Sequence, residues 1–329
     1  MRRVFRGLGW LFGIVVVVGA ALWTFGPYEP VDTDVSFDAS AVPDDIDGWL
    51  ADRESQVPDV APEAAKRVVW AGAPGTRTDL VLVYVHGFSA TLWETRPLVD
   101  RLGADLGANV FYTRLTGHGR DGAAMATATA GDWIEDMAEA MAVALKLGDC
   151  VVVIGTSTGG TLAAILAADP DLADLMTDVA GLIFISPNFR VANPAAKLLS
   201  LPAARYWAPL VAGESRSFEA VNARHARHWT TRYPTIALLP MQATIDHAAA
   251  LDFARPDVPA LFWYSPQDRV VDASATRAVA ETWGGEATIV EVKVPEGDDP
   301  YFHVIAGDIL SPAGTAAAIQ AMADWLRTL

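Results

Sequence analysis

Cysteine is nearly absent. Cys150 is the single one in 329 residues, so no intrachain disulfide can form and no multi-cysteine metal site exists. It adjoins Val151-Val152-Val153-Ile154 and reads as a small core residue. Lysine is scarce too, 4 against 20 arginines, and histidine occurs six times, which leaves few candidates for a general base. Positive charge is in deficit: the net charge is −16, and with Arg2, Arg3 and Arg6 set aside the remainder stands at −19. A body that acidic is repelled by phosphate backbones, and no basic stripe reverses this, so nucleic acid is excluded as a partner. Solubility is the plainest reading of the acidity. No internal repeat or low-complexity tract is visible.

Apolar bulk is not lacking. Hydrophobic residues make up 52 % of the chain, enough for a sizeable core and against disorder. The length suits one large α/β domain carrying an insertion.

The first 28 residues differ from the rest. Gly7 to Tyr28 is a 22-residue stretch without a charge. As a helix it would rise about 33 Å at ~1.5 Å per residue, matching a hydrocarbon core of ~30 Å. Trp10 and Trp23 lie near its ends, three arginines precede it, and Glu29, Asp32, Asp34 and Asp38 follow. This asymmetry predicts a single transmembrane helix over 1–28 with the body on the non-cytoplasmic side, periplasmic or extracellular. A cleaved signal peptide is the competing reading, with Val18-Gly19-Ala20 or Gly19-Ala20-Ala21 as cleavage sites. The apolar run continues through Leu22, Trp23 and Phe25, which favours the uncleaved anchor. Residues 29–65 are acidic and proline-bearing and read as a stalk with one short helix around 45–54.

From residue 66 onward β-rich runs alternate with helical segments. Strands are predicted at 68–70, 80–85, 109–113, 150–154, 181–186, 260–264 and 288–294. Helices are predicted at 92–106, 132–147, 158–168, 273–283 and 312–326, the second opening with capping-box-like spacing at Asp132-Trp133-Ile134-Glu135. Continuous apolar runs such as Leu80–Val85 suit strands buried on both faces of a parallel sheet. The expected fold class is therefore α/β, a doubly wound, mostly parallel sheet over 66–329. The alternation breaks once, at about 187–258, where a helical insertion is expected to form a lid over the strand ends that bind ligands.

The sharpest local signal is Gly155-Thr156-Ser157-Thr158-Gly159, which follows one predicted strand and opens a small-residue helix. Glycines at 155 and 159 suit a strained turn crowded by a neighbouring strand and helix. Serine needs a base, and His303 lies in the loop before the last helix, at the sheet edge where the turn emerges. His225, His228 and His247 fall inside the insertion and read as surface or packing residues. Asp268 follows the 260–264 strand on the same edge and is the candidate acid, whereas Asp272 reads as a helix N-cap. Two oxyanion donors are expected: the backbone N–H of Thr158, and that of Phe88 in the loop His86-Gly87-Phe88, where Gly87 permits close approach. His86 is expected to shape that loop.

The His-Gly-Phe loop, the turn Gly117-His118-Gly119, the Gly-Thr-Ser-Thr-Gly elbow, Asp268 and His303 together resemble the α/β-hydrolase superfamily. Within it the chain is similar to monoacylglycerol lipase and lysophospholipase-like serine hydrolases with a lid after the sixth strand. The resemblance spans about 66–329. It implies a Ser/Asp/His acyl-enzyme mechanism without metal or organic cofactor, and a turn-shaping role for His118. The branches with an aspartate at the elbow do not fit Ser157, and the glycine-richer loop of proline-specific peptidases differs from His86-Gly87-Phe88.

The expected activity is hydrolysis of carboxylic esters, with lipid-like or medium-chain acyl substrates favoured by the membrane setting. Apolar patches at Leu198–Leu201, Tyr206–Val211 and Ile236–Met241 suit either an acyl pocket or the insertion's own core. Two alternatives remain open: a thioesterase or amidase with the same triad, and a non-catalytic exported binding protein of this fold.

Overall fold

Val81 to Val85 is apolar at every position and fully buried, and strands on either side pair its backbone. The computed structural model describes residues 2–329, and the side chains of residues 2–9, 11, 12 and 15 lie outside that description. The strands are β1 (Arg67–Val69), β2 (Thr78–Val85), β3 (Asn109–Tyr112), β4 (Gly148–Thr156), β5 (Val179–Ile185), β6 (Ser215–Ser217), β7 (Arg232–Pro234), β8 (Ala260–Tyr264) and β9 (Ala287–Glu291). Seven of them form one sheet in the order β1-β3-β2-β4-β5-β8-β9, antiparallel at β1 and parallel elsewhere. β6 and β7 make a separate antiparallel pair.

Successive side chains of the central strands feed two cores on opposite faces, as the pleat requires. Val81, Val83, Val151 and Val153 enter one, and Leu82, Tyr84, Val152 and Ile154 the other. The helices are α1 (Arg2–Phe25), α2 (Ile46–Ser55), α3 (Leu98–Leu106), α4 (Gly122–Met125), α5 (Ala130–Leu147), α6 (Thr158–Ala168), α7 (Ala204–Ala212), α8 (Ala223–His228), α9 (Leu238–Ala250), α10 (Ala273–Thr282) and α11 (Pro312–Leu326). α5, α6 and α10 supply the first core through Trp133, Met137, Leu162, Ile165 and Val279; α3 and α11 supply the second through Leu98, Leu102, Ala318 and Met322.

Three expectations need correcting. The helix expected over 92–106 begins at Leu98, because Pro97 has no N–H to give and disfavours helical geometry in the residue before it. α5 starts at Ala130, and its capping box pairs Thr129 with Asp132 rather than opening at Asp132. Cys150 is exposed, because it lies near the start of β4, before that strand enters the core.

The acidic segment 29–65 does not stand clear of the domain. Val42, Ile46 and Leu50, spaced four apart, enter the first core together. Glu54 of α2 accepts both Arg114 Nε and Nη2 at 2.8 Å with little exposure on either side. Beside it, buried Lys66 pairs with Asp136 at 3.2 Å and with Glu139.

α1 is helical over Arg2–Phe25. Among the described residues no helix is long and apolar enough to cross a membrane, and the anchor expected over 1–28 draws in part on residues outside the described set. Between β5 and β8 lie α7, β6, α8, β7 and α9. This stretch rests on the strand ends: Thr230 N–H donates to Ser89 O at 2.8 Å, and the Tyr233 ring meets Phe88 edge-on at 5.1 Å.

Candidate active site

β4 ends at Thr156 and α6 begins at Thr158, so the whole reversal from strand to helix falls on Ser157. Its φ of 52° and ψ of −117° are costly for a residue with a Cβ. The surroundings hold it there: Ser157 N–H donates to Ile185 O, and Ser157 O accepts from Asn188 N–H, both at 3.0 Å. The flanking glycines are steric necessities. A Cβ at Gly159 would lie 2.1 Å from Val85 O, and one at Gly155 would lie 2.5 Å from Gly159 O. The Ser157 side chain is thereby turned out of the sheet while the residue keeps only 6 % exposure.

The structure brings His303 and Asp268 to this hydroxyl. His303 Nε2 lies 3.0 Å from Ser157 Oγ, and His303 Nδ1 lies 2.7 Å from Asp268 Oδ2. A carboxylate can only accept, so Nδ1 carries the proton and Nε2 is free to accept from the serine. Asp268 Oδ1 is fixed in turn by Val270 N–H at 2.8 Å and Val271 N–H at 2.9 Å. Burial opposes charging of His303, but the charge and hydrogen bond of Asp268, with Glu94 and Asp299 beyond, outweigh it and raise the imidazole above its ordinary value.

Thr158 is the first residue of α6, and its N–H has no acceptor within the helix. Phe88 N–H, in the loop after β2, meets no acceptor among the described residues. A Cβ at Gly87 would lie 3.0 Å from Ser157 Cβ, so only glycine lets this loop approach so closely. His86 shapes the loop from within. Its Nε2 accepts from Leu115 N–H at 3.1 Å and its Nδ1 reaches Gly87 O at 2.9 Å. Full burial lowers it to about 4, so it stays neutral. His118 packs on His86, Phe88 and Trp133, and its pKa is lowered by burial as well.

The remaining histidines stay apart from Ser157. His225 packs on Trp229, His228 stacks on Trp93 at 4.8 Å, and His247 pairs with Asp169 at 2.6 Å. Asp272 caps α10 through Ser274 N–H. Among the described residues no cluster of His, Cys, Asp and Glu is arranged to hold a metal ion.

Two carboxylates at the site escape a reading of the sequence. Asp299 Oδ2 accepts the backbone N–H of His303 at 3.0 Å and of Val304 at 2.9 Å. Glu94 Oε2 accepts Gly87 N–H at 2.7 Å and the Tyr84 hydroxyl at 3.1 Å. Both bind backbone from loops, a relationship without periodicity or motif. A hydroxyl, an imidazole and a carboxylate in this chain can deprotonate the hydroxyl for attack on an acyl carbon.

A structure described for LipS and LipT, two metagenome-derived lipolytic enzymes, superposes with a TM-score of 0.64 at 21 % identity, covering 82 % of this chain and all of the other. The monoacylglycerol lipase of Paleococcus ferrophilus gives a TM-score of 0.57 at 16 % identity over 80 % of this chain and 98 % of its own. A soluble variant of monoglyceride lipase from Saccharomyces cerevisiae, in complex with a substrate analog, gives 0.59 at 14 % identity over 80 % and 90 %. At such identities the likeness establishes the fold. No curated protein matches the chain. The profile of the family described as Hydrolase_4, serine aminopeptidase, S33, matches residues 76–297, a span that holds the elbow and Asp268 and stops just short of His303. The chain therefore belongs to the Hydrolase_4 (serine aminopeptidase, S33) family and is a hydrolase of the α/β-hydrolase fold.

Proposed function

We propose that the chain is a serine esterase acting on lipid-like or medium-chain acyl esters, with Ser157 as nucleophile, His303 as base and Asp268 as its orienting acid. The single observation that carries this reading is the pair of contacts at His303, 3.0 Å to Ser157 Oγ and 2.7 Å to Asp268. His303 takes the hydroxyl proton as Ser157 Oγ attacks the ester carbon. The oxyanion is received by the N–H groups of Phe88 and Thr158. His303 then protonates the departing alcohol, leaving an acyl-Ser157 ester. Water, deprotonated by the same imidazole, attacks that ester and restores the enzyme.

The lipid-like substrate and the membrane setting have their own support. α7 turns outward Tyr206, Leu210 and Val211, at 70, 86 and 75 % exposure. Trp23 and Phe25 at the end of α1 are exposed too, at 65 and 85 %. Pro27 O accepts Ala203 N–H at 2.7 Å and Glu29 pairs with Arg205, so the end of α1 is tied to the start of α7. In this reading α1 anchors the chain, the domain lies on the non-cytoplasmic side, and the stretch between β5 and β8 forms a lid facing lipid.

The family description names aminopeptidases, which favours an amide reading of the same triad as the second candidate. Turnover of p-nitrophenyl esters from acetate to palmitate, set against a thioester and an anilide of one acyl length, decides between them. Esters are expected to be cleaved fastest, with an optimum above acetate. Faster anilide cleavage would displace the ester reading, and no turnover or fluorophosphonate labelling of folded protein would leave a binding protein.

A further inference from the structure

Glu94 is a carboxylate at 2 % exposure to which the acyl-enzyme steps assign no task. It precedes α3, and burying such a group is costly unless its oxygens are hydrogen-bonded. Its Oε2 is shared. Gly87 N–H donates to it at 2.7 Å and the Tyr84 hydroxyl lies 3.1 Å away. The same Tyr84 oxygen is 3.1 Å from Thr156 Oγ1. One hydrogen-bonded path therefore runs from Gly87 through Glu94 and Tyr84 to Thr156. Gly87 immediately precedes Phe88, and Thr156 immediately precedes Ser157.

The other oxygen is close to the nucleophile. A Cβ built on Gly87 would lie 2.8 Å from Glu94 Oε1 and 3.0 Å from Ser157 Cβ, which leaves those two atoms no more than about 6 Å apart. The ionisable groups facing Glu94 are Tyr84 from β2 and His303 from the loop before α11, with Asp268 and Asp299 beyond the imidazole. Burial lifts the Glu94 carboxyl to about 7, against the pull of Gly87 N–H, His303 and Tyr84.

We propose that Glu94 is a positioning residue of the reaction: Oε2 clamps the loop bearing Phe88 N–H to the strand end bearing Ser157, so that oxyanion donor and nucleophile keep one spacing. The proposal rests on Ser157 being the nucleophile. Its contribution is to the transition state, because the oxyanion contact forms only as the ester carbon becomes tetrahedral.

The test uses the full chain and compares Glu94→Leu, Glu94→Gln and Tyr84→Phe by kcat and KM on p-nitrophenyl butyrate, with thermal melting alongside. Glu94→Leu is expected to lower kcat about 100-fold with KM within about threefold, the pattern of an interaction made only in the transition state. Glu94→Gln keeps an oxygen that can accept both donors and should return kcat to within about fivefold of the parent. With one anion fewer facing His303, its acid limb in kcat/KM should move to lower pH. Tyr84→Phe cuts the path at its middle and should lower kcat about tenfold. Full kcat in Glu94→Leu overturns the proposal, and so does Glu94→Gln as slow as Glu94→Leu. If Glu94→Leu does not fold, Tyr84→Phe and Thr156→Val carry the test, and full activity in both refutes the clamp. Fluorophosphonate labelling of the unsubstituted chain, lost in Ser157→Ala, tests the nucleophile separately.

Discussion

Asp299 holds His303 by its main chain and not by its ring. Its Oδ2 accepts the N–H of His303 at 3.0 Å and of Val304 at 2.9 Å, while Asp268 takes the imidazole Nδ1 at 2.7 Å. Two carboxylates thus fix one residue at two levels, backbone and side chain. Phe302, just before it, has a φ of 56°, so the loop is held in a conformation it would not adopt unaided.

Asp299→Ala should therefore lower kcat about tenfold by loosening the imidazole, with KM little changed. Asp299→Asn keeps an acceptor oxygen and should recover most of the loss. Steady-state kinetics on a soluble ester measures both, and full activity in Asp299→Ala would remove the role assigned to this carboxylate.

The pH dependence follows from His303. In the proposed mechanism its imidazole accepts the serine proton only when neutral, and its pKa is raised above the ordinary value. kcat/KM should fall as pH drops through that raised value, giving an alkaline-sided profile. Asp268→Asn should move the limb to lower pH while greatly slowing turnover. Stability should run the other way. His303 and Glu94 both hold protons more tightly folded than unfolded, Glu94 with a value of about 7. Their contribution is complete below the unfolded values and is lost as pH rises toward the folded ones, so denaturant midpoints should decline between pH about 4.5 and about 7 as Glu94 ionises.

Gly159→Ala should prevent native folding or cost about 3 kcal/mol or more. The new Cβ would sit 2.1 Å from a main-chain oxygen, Val85 O, where no side chain can swing away. Urea unfolding measures it. A loss under about 1 kcal/mol would mean that the elbow has more room than this geometry allows.

Glu54→Ala should destabilise the chain by about 3–5 kcal/mol, because it strands the buried Arg114 guanidinium. It should also free α2 from the domain, seen as faster amide exchange over Ile46–Ser55. Unchanged exchange there would mean that the packing of Val42, Ile46 and Leu50, with the Arg53–Glu139 and Trp70–Asp47 contacts, holds the segment without Glu54.

Much of this was readable in the residues, for local reasons. The turn at Ser157 announces itself because strand, strained serine and helix are contiguous. The strand cores read well because Leu80–Val85 and Val151–Ile154 are apolar at every position. Other features depend on contacts that sequence spacing does not encode. With 40 acidic residues, nothing singles out Asp299 or Glu94, whose main partners are backbone N–H groups within their own irregular loops, where no periodicity marks the pairing. The short helix expected around 45–54 is α2, but the surrounding acids and prolines gave no sign that Val42, Ile46 and Leu50 enter the core. Cys150 misled because an apolar run continues past it, while burial begins at Val151.

The most direct test of the central claim is covalent labelling by a fluorophosphonate, read by intact mass together with ester turnover, on the parent chain, Ser157→Ala and His303→Ala. The account predicts one label on the parent, none on Ser157→Ala, and a folded His303→Ala whose turnover falls by about 1,000-fold or more. Labelling or full turnover persisting in Ser157→Ala would contradict it.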